Sequence, residues 1–405
     1  APTRPQTITP LQQLFSLNGP FIQWQAEALA VELMKVEGTE SRVNAAYQKL
    51  FQDSDADYGR WLDLWAEAAR ALEEEDPQWT ARTFDAVRTI SRYLFSLHDN
   101  ATQTKAPFPA TGLIVGPAEH DTCKDRGAFF SINMWTLRGW ISVRRFVADT
   151  TAVKDDGFAT ELDAHISRLQ ADIDVAVNAS LTMDRENRIS FLPPYAATSF
   201  PPYSSMVEKT RGHEPGNGCP DFAPQNCHGL PANCSCTGFA GGPVYAGFRY
   251  YSEILSSGIL SAEVANALND FRESHTGTLS GMTRYLDHLD DMPAEGYAFS
   301  AAALGRTESF QALYFGHIAN YQSRGVYNAP EQLSLYGDGV PGKYFSDSFR
   351  AQIGPGEIDV DLCVPSTMLP AMMLRWMVLF VEQDADTVAV KCCRWLPLAS
   401  GRASP

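Results

Sequence analysis

Acidic side chains are grouped in four segments that precede predicted helices: residues 119–126, 284–291, 324–332 and 359–361. Hydrolysis of a glycosidic bond needs one carboxylic acid that protonates the leaving oxygen and one carboxylate that activates water or attacks the sugar. Glu331 follows Asn-Ala-Pro, with Arg324 upstream, and is our first candidate for the acid. Asp121 or Asp291 is then the base or nucleophile, unless each is only the N-cap of the helix that follows.

The same segments carry side chains that are typical of a carbohydrate cleft. Sugar rings stack on aromatic side chains, while arginine and histidine hold hydroxyl groups or the carboxylate of an acidic sugar. The number of arginines leaves uronic-acid substrates open. The candidates for binding the substrate are Glu119, His120, Arg126, Trp135, Arg284, Asp287, His288, Asp290, Arg324 and Tyr327.

Three other kinds of site are set aside. The glycine-rich residues 337–343 are followed by Tyr344 where a P-loop has Ser or Thr, so they are interpreted as a turn. Residues 287–291 are similar to the aspartate-rich magnesium motif of terpenoid synthases, but the secreted context and the aromatic, hydroxyl-rich loops argue against an isoprenoid substrate. No cysteine pair has the Cys-x2-Cys spacing of structural zinc sites. We therefore expect no metal and no cofactor.

Composition limits the partners and the compartment. The chain of 405 residues has 48 acidic and 32 basic side chains, a net charge of −16 and no basic stripe, which argues against nucleic acid. The apolar run 368–381 contains Arg375 and is too short to span a membrane. Clustered cysteines and Asn-x-Ser/Thr sequons predict a secreted, disulfide-linked glycoprotein that has lost its signal peptide. These residues are Cys219, Cys227, Cys234 and Cys236, and Asn100, Asn178 and Asn233.

Hydrophobic periodicity predicts a mainly α-helical protein. Apolar side chains at 162, 166, 169 and 173 mark a helix with one buried face, on which His165 is assigned to the solvated side. Residues 128–146 are apolar around most of the circumference, which predicts a helix buried on nearly all sides. His317 is predicted to be a core histidine. Alternating apolar and amphipathic helices favour one α/α toroid over residues 1–385, with a long loop at 181–243 and a short tail at 386–405.

Residues 112–121, 282–293, 324–335 and 361–369 resemble the six-hairpin glycosidase superfamily, which includes rhamnosidases, trehalases and glucoamylase-like hydrolases. The resemblance implies an (α/α)6 toroid and a glycoside hydrolase that cleaves a polysaccharide or oligosaccharide, without identifying the sugar. In similar proteins a β segment follows the last inner helix, whereas here residues 386–405 form what we expect to be an abbreviated tail.

Two alternatives remain open from the sequence. A polysaccharide lyase would use tyrosine and histidine as base and acid, with arginine neutralising a uronate. A secreted glycan-binding protein would keep the helical toroid without catalysis. Release of an unsaturated sugar identifies the first, and glycan binding without product identifies the second.

Overall fold

The structure is a computed structural model, and the part of the chain that it describes is mainly α-helical. The described residues are 55–72, 77–104, 106–117, 126–150, 153–183, 188–197, 249–274, 277–285, 288–289, 291, 293–322, 329, 333–334, 364–383 and 388–392. Within this part 72% of the residues are helical, which confirms the prediction of a mainly α protein. None of the helices described in it is long and apolar enough to cross a membrane.

Nine helices lie in the described ranges, and they alternate along the chain between two structural roles. They are α1 (Asp55–Leu72), α2 (Pro77–Gln103), α3 (Phe130–Asp149), α4 (Asp156–Ser180), α5 (Tyr251–Ser256), α6 (Ala262–Ser274), α7 (Ala294–Leu304), α8 (Thr307–Asn320) and α9 (Val364–Val378). The odd-numbered helices pack one against the next, α1 on α3, α3 on α5, α5 on α7 and α7 on α9. The even-numbered helices cover them, with α2 on α1, α4 on α3, α6 on α7 and α8 on both α7 and α9.

The strands of the described part are short and antiparallel. They are β1 (Gly116–Pro117), β2 (Arg126–Gly127), β3 (Thr182–Met183), β4 (Ile189–Phe191), β5 (Thr278–Leu279), β6 (Met282–Tyr285), β7 (His288–Leu289), β8 (Leu333–Ser334), β9 (Leu379–Gln383) and β10 (Val388–Cys392). Strands β5 to β8 form one four-stranded sheet in sequence order, and β1–β2, β3–β4 and β9–β10 form separate pairs. Strands β9 and β10 form a hairpin directly after α9, so a β segment does follow this helix, where only an abbreviated tail was expected from the sequence.

The two helix patterns that the sequence suggested are confirmed. Helix α4 buries Leu162, Leu169 and Ile173, half-buries Ile166, and starts at Asp155, whose carboxylate accepts a hydrogen bond from the Phe158 N–H. Helix α3 is buried on most of its circumference; its buried apolar side chains are Phe130, Ile132, Met134, Leu137, Trp140, Val143, Phe146 and Val147. The helix that is apolar all round lies among the others, as the hydrophobic effect requires.

Helices α1 and α3 pack almost backbone to backbone. A Cβ atom at Gly59 would overlap the carbonyl group of Trp135, and one at Gly139 would overlap the carbonyl oxygen of Gly59. The close approach seats Leu62, Trp65 and the other apolar side chains of α1 in the main hydrophobic core. Glycine at these two crossing points is therefore a requirement of packing.

Candidate active site

Arg60 of α1, Trp135 of α3 and Glu253 of α5 contact one another and form a cluster, and Glu295 of α7 lies near it. The Arg60 guanidinium carbon lies 4.9 Å from the centre of the Trp135 ring, a cation–π contact. Arg60 also forms an ion pair with Glu253. The Trp135 Nε1–H donates a hydrogen bond to the Glu253 carbonyl oxygen, with 2.9 Å between N and O. Glu295, one residue into α7, lies within the field of the same arginine.

Backbone packing fixes the position of Glu295 relative to α5. A Cβ atom at Gly296 would overlap the Ser252 carbonyl oxygen, so the first turn of α7 touches the first turn of α5 directly. The Ser252 hydroxyl donates to the Pro293 carbonyl oxygen immediately before α7. Ser252 and Pro293 are therefore in direct contact. Glu253 is the residue after Ser252, and Glu295 is the second residue after Pro293.

The two carboxyl groups have different environments. Glu253 is held by Arg60, and 15% of its side chain is exposed, so its charge is compensated within the site. Glu295, in contrast, is exposed to solvent. Desolvation by the surrounding protein raises the pKa of Glu295, and the positive charge of Arg60 only partly opposes this effect. One carboxyl group paired with an arginine, beside a second whose pKa is raised, is an arrangement that acid and base catalysis can use.

Residues in or next to two of the acidic segments singled out in the sequence pair in the four-stranded sheet. In the sheet, His288 pairs with Ser334 and Leu289 with Leu333. The Ala329 N–H donates to the Thr367 hydroxyl at 3.0 Å, which ties the same region to the first turn of α9. Glu331 and Asp121 themselves lie outside the described residues, so whether they meet residue 291 at one rim stays a prediction.

Asp291 is buried and does not cap α7 with its side chain. Its Oδ1 atom accepts a hydrogen bond from the Thr283 N–H at 2.8 Å, and its Oδ2 atom lies 2.7 Å from His317 Nδ1. The side chains of Asp291 and His317 are both 0% exposed. The Asp291 carbonyl oxygen accepts from the Ala294 N–H at 3.1 Å. The carboxyl group predicted as base or nucleophile therefore has no surface that a substrate can reach.

A second buried charge belongs to the same network. The Arg272 Nη2 group donates to the Thr283 hydroxyl at 2.9 Å, and its guanidinium carbon lies 3.7 Å from the centre of the Tyr297 ring. Desolvation lowers the pKa of Arg272, against the charges of Asp291 and its other neighbours. Burial raises the pKa of Tyr297, which stays a neutral phenol beneath the arginine. Arg272 and Asp291 thus compensate one another within the core.

The other residues predicted from the sequence are placed as follows. Trp135 is part of the cluster, and Arg284 is half-buried in β6. Arg126 lies in β2 opposite Pro117, and His288 lies in β7 opposite Tyr285 and Ser334. Asn100 on α2 and Asn178 on α4 are exposed. Outside the described residues lie Glu119, His120, Asp121, Asp287, Asp290, Arg324, Tyr327, Glu331, Asn233, Cys219, Cys227, Cys234 and Cys236.

The sequence did not point to Arg60, Glu253 or Glu295, because each lies within a helix and outside the acidic segments that precede the helices. Glu295 had one detectable signal, because it is the only charge in the otherwise apolar residues 294–304.

Among the residues that the structure describes, no group of three or more His, Cys, Asp or Glu side chains is placed to hold a metal ion. No protein-family model, no curated protein and no solved structure matches this chain.

Proposed function

We propose that the protein is a glycoside hydrolase whose acid and base include Glu295 and Glu253. The observation that carries this proposal is the pair of carboxyl groups on adjoining helix ends, one ion-paired with Arg60 and the other with a raised pKa. Glycoside hydrolysis uses two carboxyl groups in these two states. Trp135 supplies an aromatic wall of the kind on which sugars bind.

We also propose that the helices form a closed α/α toroid, and their arrangement supports this. The succession α1, α3, α5, α7, α9 is continuous, and even-numbered helices cover α1, α3, α7 and α9. Helix α1 carries Arg60, Asp63, Glu67 and Arg70 along one side, a charged stripe that fits the lining of a central opening.

In this mechanism Glu295 protonates the leaving oxygen and Glu253 activates water or attacks the anomeric carbon. Glu295 suits the acid role because its raised pKa keeps the proton available at a higher pH than an ordinary glutamate does. Glu253 suits the second role because Arg60 stabilises its negative charge.

Glu331 and Asp121 stay predictions of catalytic residues, and the proposal accommodates them. Strand β8 begins two residues after Glu331 and pairs with β7, which precedes α7 in the chain. The variants Glu331→Gln and Asp121→Asn belong in the same assay as variants of Glu253 and Glu295. The residue whose replacement removes the most activity identifies the acid or base that the reaction uses.

The test is a screen of neutral and acidic polysaccharides and oligosaccharides with two readouts in parallel. New reducing ends without ultraviolet absorbance support a hydrolase. Absorbance of an unsaturated sugar identifies a lyase, and binding without any product identifies a binding protein; either result overturns the proposal. A secreted protein of this composition is expected to work on extracellular glycans.

On a substrate found in this way, Glu295→Gln is expected to lower kcat by about 10²- to 10⁴-fold, the usual contribution of a general acid. A glycoside whose leaving group departs without protonation should lose much less rate in the same variant. Glu308→Gln is the matched control, because Glu308 is an exposed glutamate in the first turn of α8. Equal activity of Glu295→Gln and Glu308→Gln would remove Glu295 from the mechanism.

A further inference from the structure

We propose that Asp291 and His317 are positioning residues that hold the first turn of α7, and with it Glu295, in its working orientation. The inference rests on the proposed function for its catalytic consequence, while its structural part can be tested without activity. It replaces the role of base or nucleophile for Asp291, whose side chain is fully buried.

The contacts of Asp291 show how the pair acts on α7. Its carbonyl oxygen accepts from the Ala294 N–H, the residue directly before Glu295. Its own N–H donates to the Tyr321 hydroxyl at 3.3 Å, and its carboxylate accepts from the Thr283 N–H at 2.8 Å. Backbone and side chain are therefore fixed by β6 and by the end of α8. A loop held at both its backbone and its side chain gives the helix behind it a defined start.

His317 completes the set of partners around the Asp291 carboxylate. Its Nδ1 atom carries the hydrogen that faces Asp291 Oδ2, because a carboxylate can only accept. The ring lies 5.2 Å from the Tyr321 ring, centre to centre, so the hydroxyl and the imidazole that hold Asp291 pack on one another. A carboxylate with two hydrogen-bond partners inside a core is kept in one orientation, since any rotation leaves a buried polar atom unsatisfied.

The same network contacts α7 at a second position, which follows Glu295 in the helix. Arg272 donates to the Thr283 hydroxyl and covers the Tyr297 ring, two residues after Glu295. Asp291 and Arg272 stabilise each other's charges across Thr283. Glu295 thus lies between two anchors that share Thr283, whose N–H donates to Asp291 and whose hydroxyl accepts from Arg272, so we expect replacement of Asp291 to weaken both of them.

The experiment compares Asp291→Asn and His317→Asn with the control Asp270→Asn. Asparagine keeps the volume of Asp291 and removes its charge; Asp270 is an exposed aspartate of α6 paired with Arg306. We expect both test variants to lower kcat by at least about tenfold with a KM change below about twofold, because orientation is lost while binding is kept. The pH at which activity falls on the alkaline side should move down, as a less enclosed Glu295 loses its proton earlier.

A readout independent of catalysis keeps the two proposals separate. Hydrogen exchange of the amides in the first turn of α7 should be faster in Asp291→Asn than in the parent and in Asp270→Asn. Folded variants with unchanged exchange and an unmoved alkaline limb overturn the positioning role, whatever the parent hydrolyses. Faster exchange in a protein that hydrolyses no glycan supports the positioning role and overturns the proposed function. A uniform loss of folded protein, with an unmoved alkaline limb, shows a purely structural pair and also overturns the inference.

Discussion

Acidification is expected to destabilise the protein through a buried histidine pair between α2 and α4. His98 Nδ1 lies 3.2 Å from His165 Nδ1, and His98 Nε2 lies 3.2 Å from Asp172 Oδ2. The His165 ring is stacked on Phe95 at 3.9 Å between centres. Desolvation lowers the pKa of both histidines, that of His165 to about 4, and Arg168 adds to the effect. Asp99 and Glu161 oppose it at His165, and Asp172 and Asp99 oppose it at His98.

The sign follows from proton binding in the two states. In the unfolded chain His165 has its ordinary pKa of 6.5, so between that value and about 4 the unfolded state binds one more proton than the folded state. The stability from a neutral His165 is present above pH 6.5 and is lost as the pH falls towards 4. With about 1.4 kcal/mol per pH unit, the loss from about pH 7 to about pH 4.5 is roughly 2.5 kcal/mol for His165 alone.

Urea unfolding of the parent, His165→Gln and Ser167→Gln across this pH range measures the effect. Glutamine keeps a donor and an acceptor but does not titrate, so the parent should lose roughly 2.5 kcal/mol more than His165→Gln on acidification. Ser167 lies on the exposed side of α4, and its replacement by glutamine should follow the parent. Carboxylates that titrate in the same range are common to all three proteins and cancel in the comparison. Parallel curves for the parent and His165→Gln would refute the reasoning.

Two further substitutions test the packing that places the candidate site. In Gly59→Ala the new methyl group overlaps the Trp135 backbone, so despite a gain of about 1 kcal/mol in helix propensity we expect a net loss of about 2 kcal/mol or more. Gly157→Ala, in the open first turn of α4, should stabilise by up to about 1 kcal/mol, and equal unfolding midpoints in the two variants would contradict this account. Asn133→Ala removes three buried hydrogen bonds, two of them to the backbone of Ile114, and should lower the free energy of unfolding by about 3 kcal/mol in urea titrations.

The helices were predictable because their signal is local. In α4 the apolar positions recur with the helical period, and in α3 they surround the axis; both patterns depend only on which residues must leave water. The short strands were not predicted. Strands β7 and β8 each have two residues, and their pairing joins positions more than 40 apart in the chain, so no alternating pattern exists within either of them.

The assignment of His165 to the solvated face was wrong, and the reason is instructive. His165 follows Leu162 by three positions and precedes Leu169 by four, which places it on the buried side of α4. Treating histidine as polar hid this position in the pattern. The structure shows His165 8% exposed and packed on Phe95 and Trp140. The prediction that His317 is a core histidine is confirmed, because it is 0% exposed.

Glu295 and Asp291 explain why the candidate site was only partly found. Both are acidic residues at the start of α7, four positions apart, and composition treats them alike. The helix begins at Ala294, so Asp291 belongs to a loop that turns into the protein, while Glu295 lies in the first turn with a surface open to solvent. A general acid must exchange its proton with substrate and water, which the buried Asp291 carboxylate cannot do. The direction in which the chain enters the helix therefore separates the proposed acid from the residue that positions it.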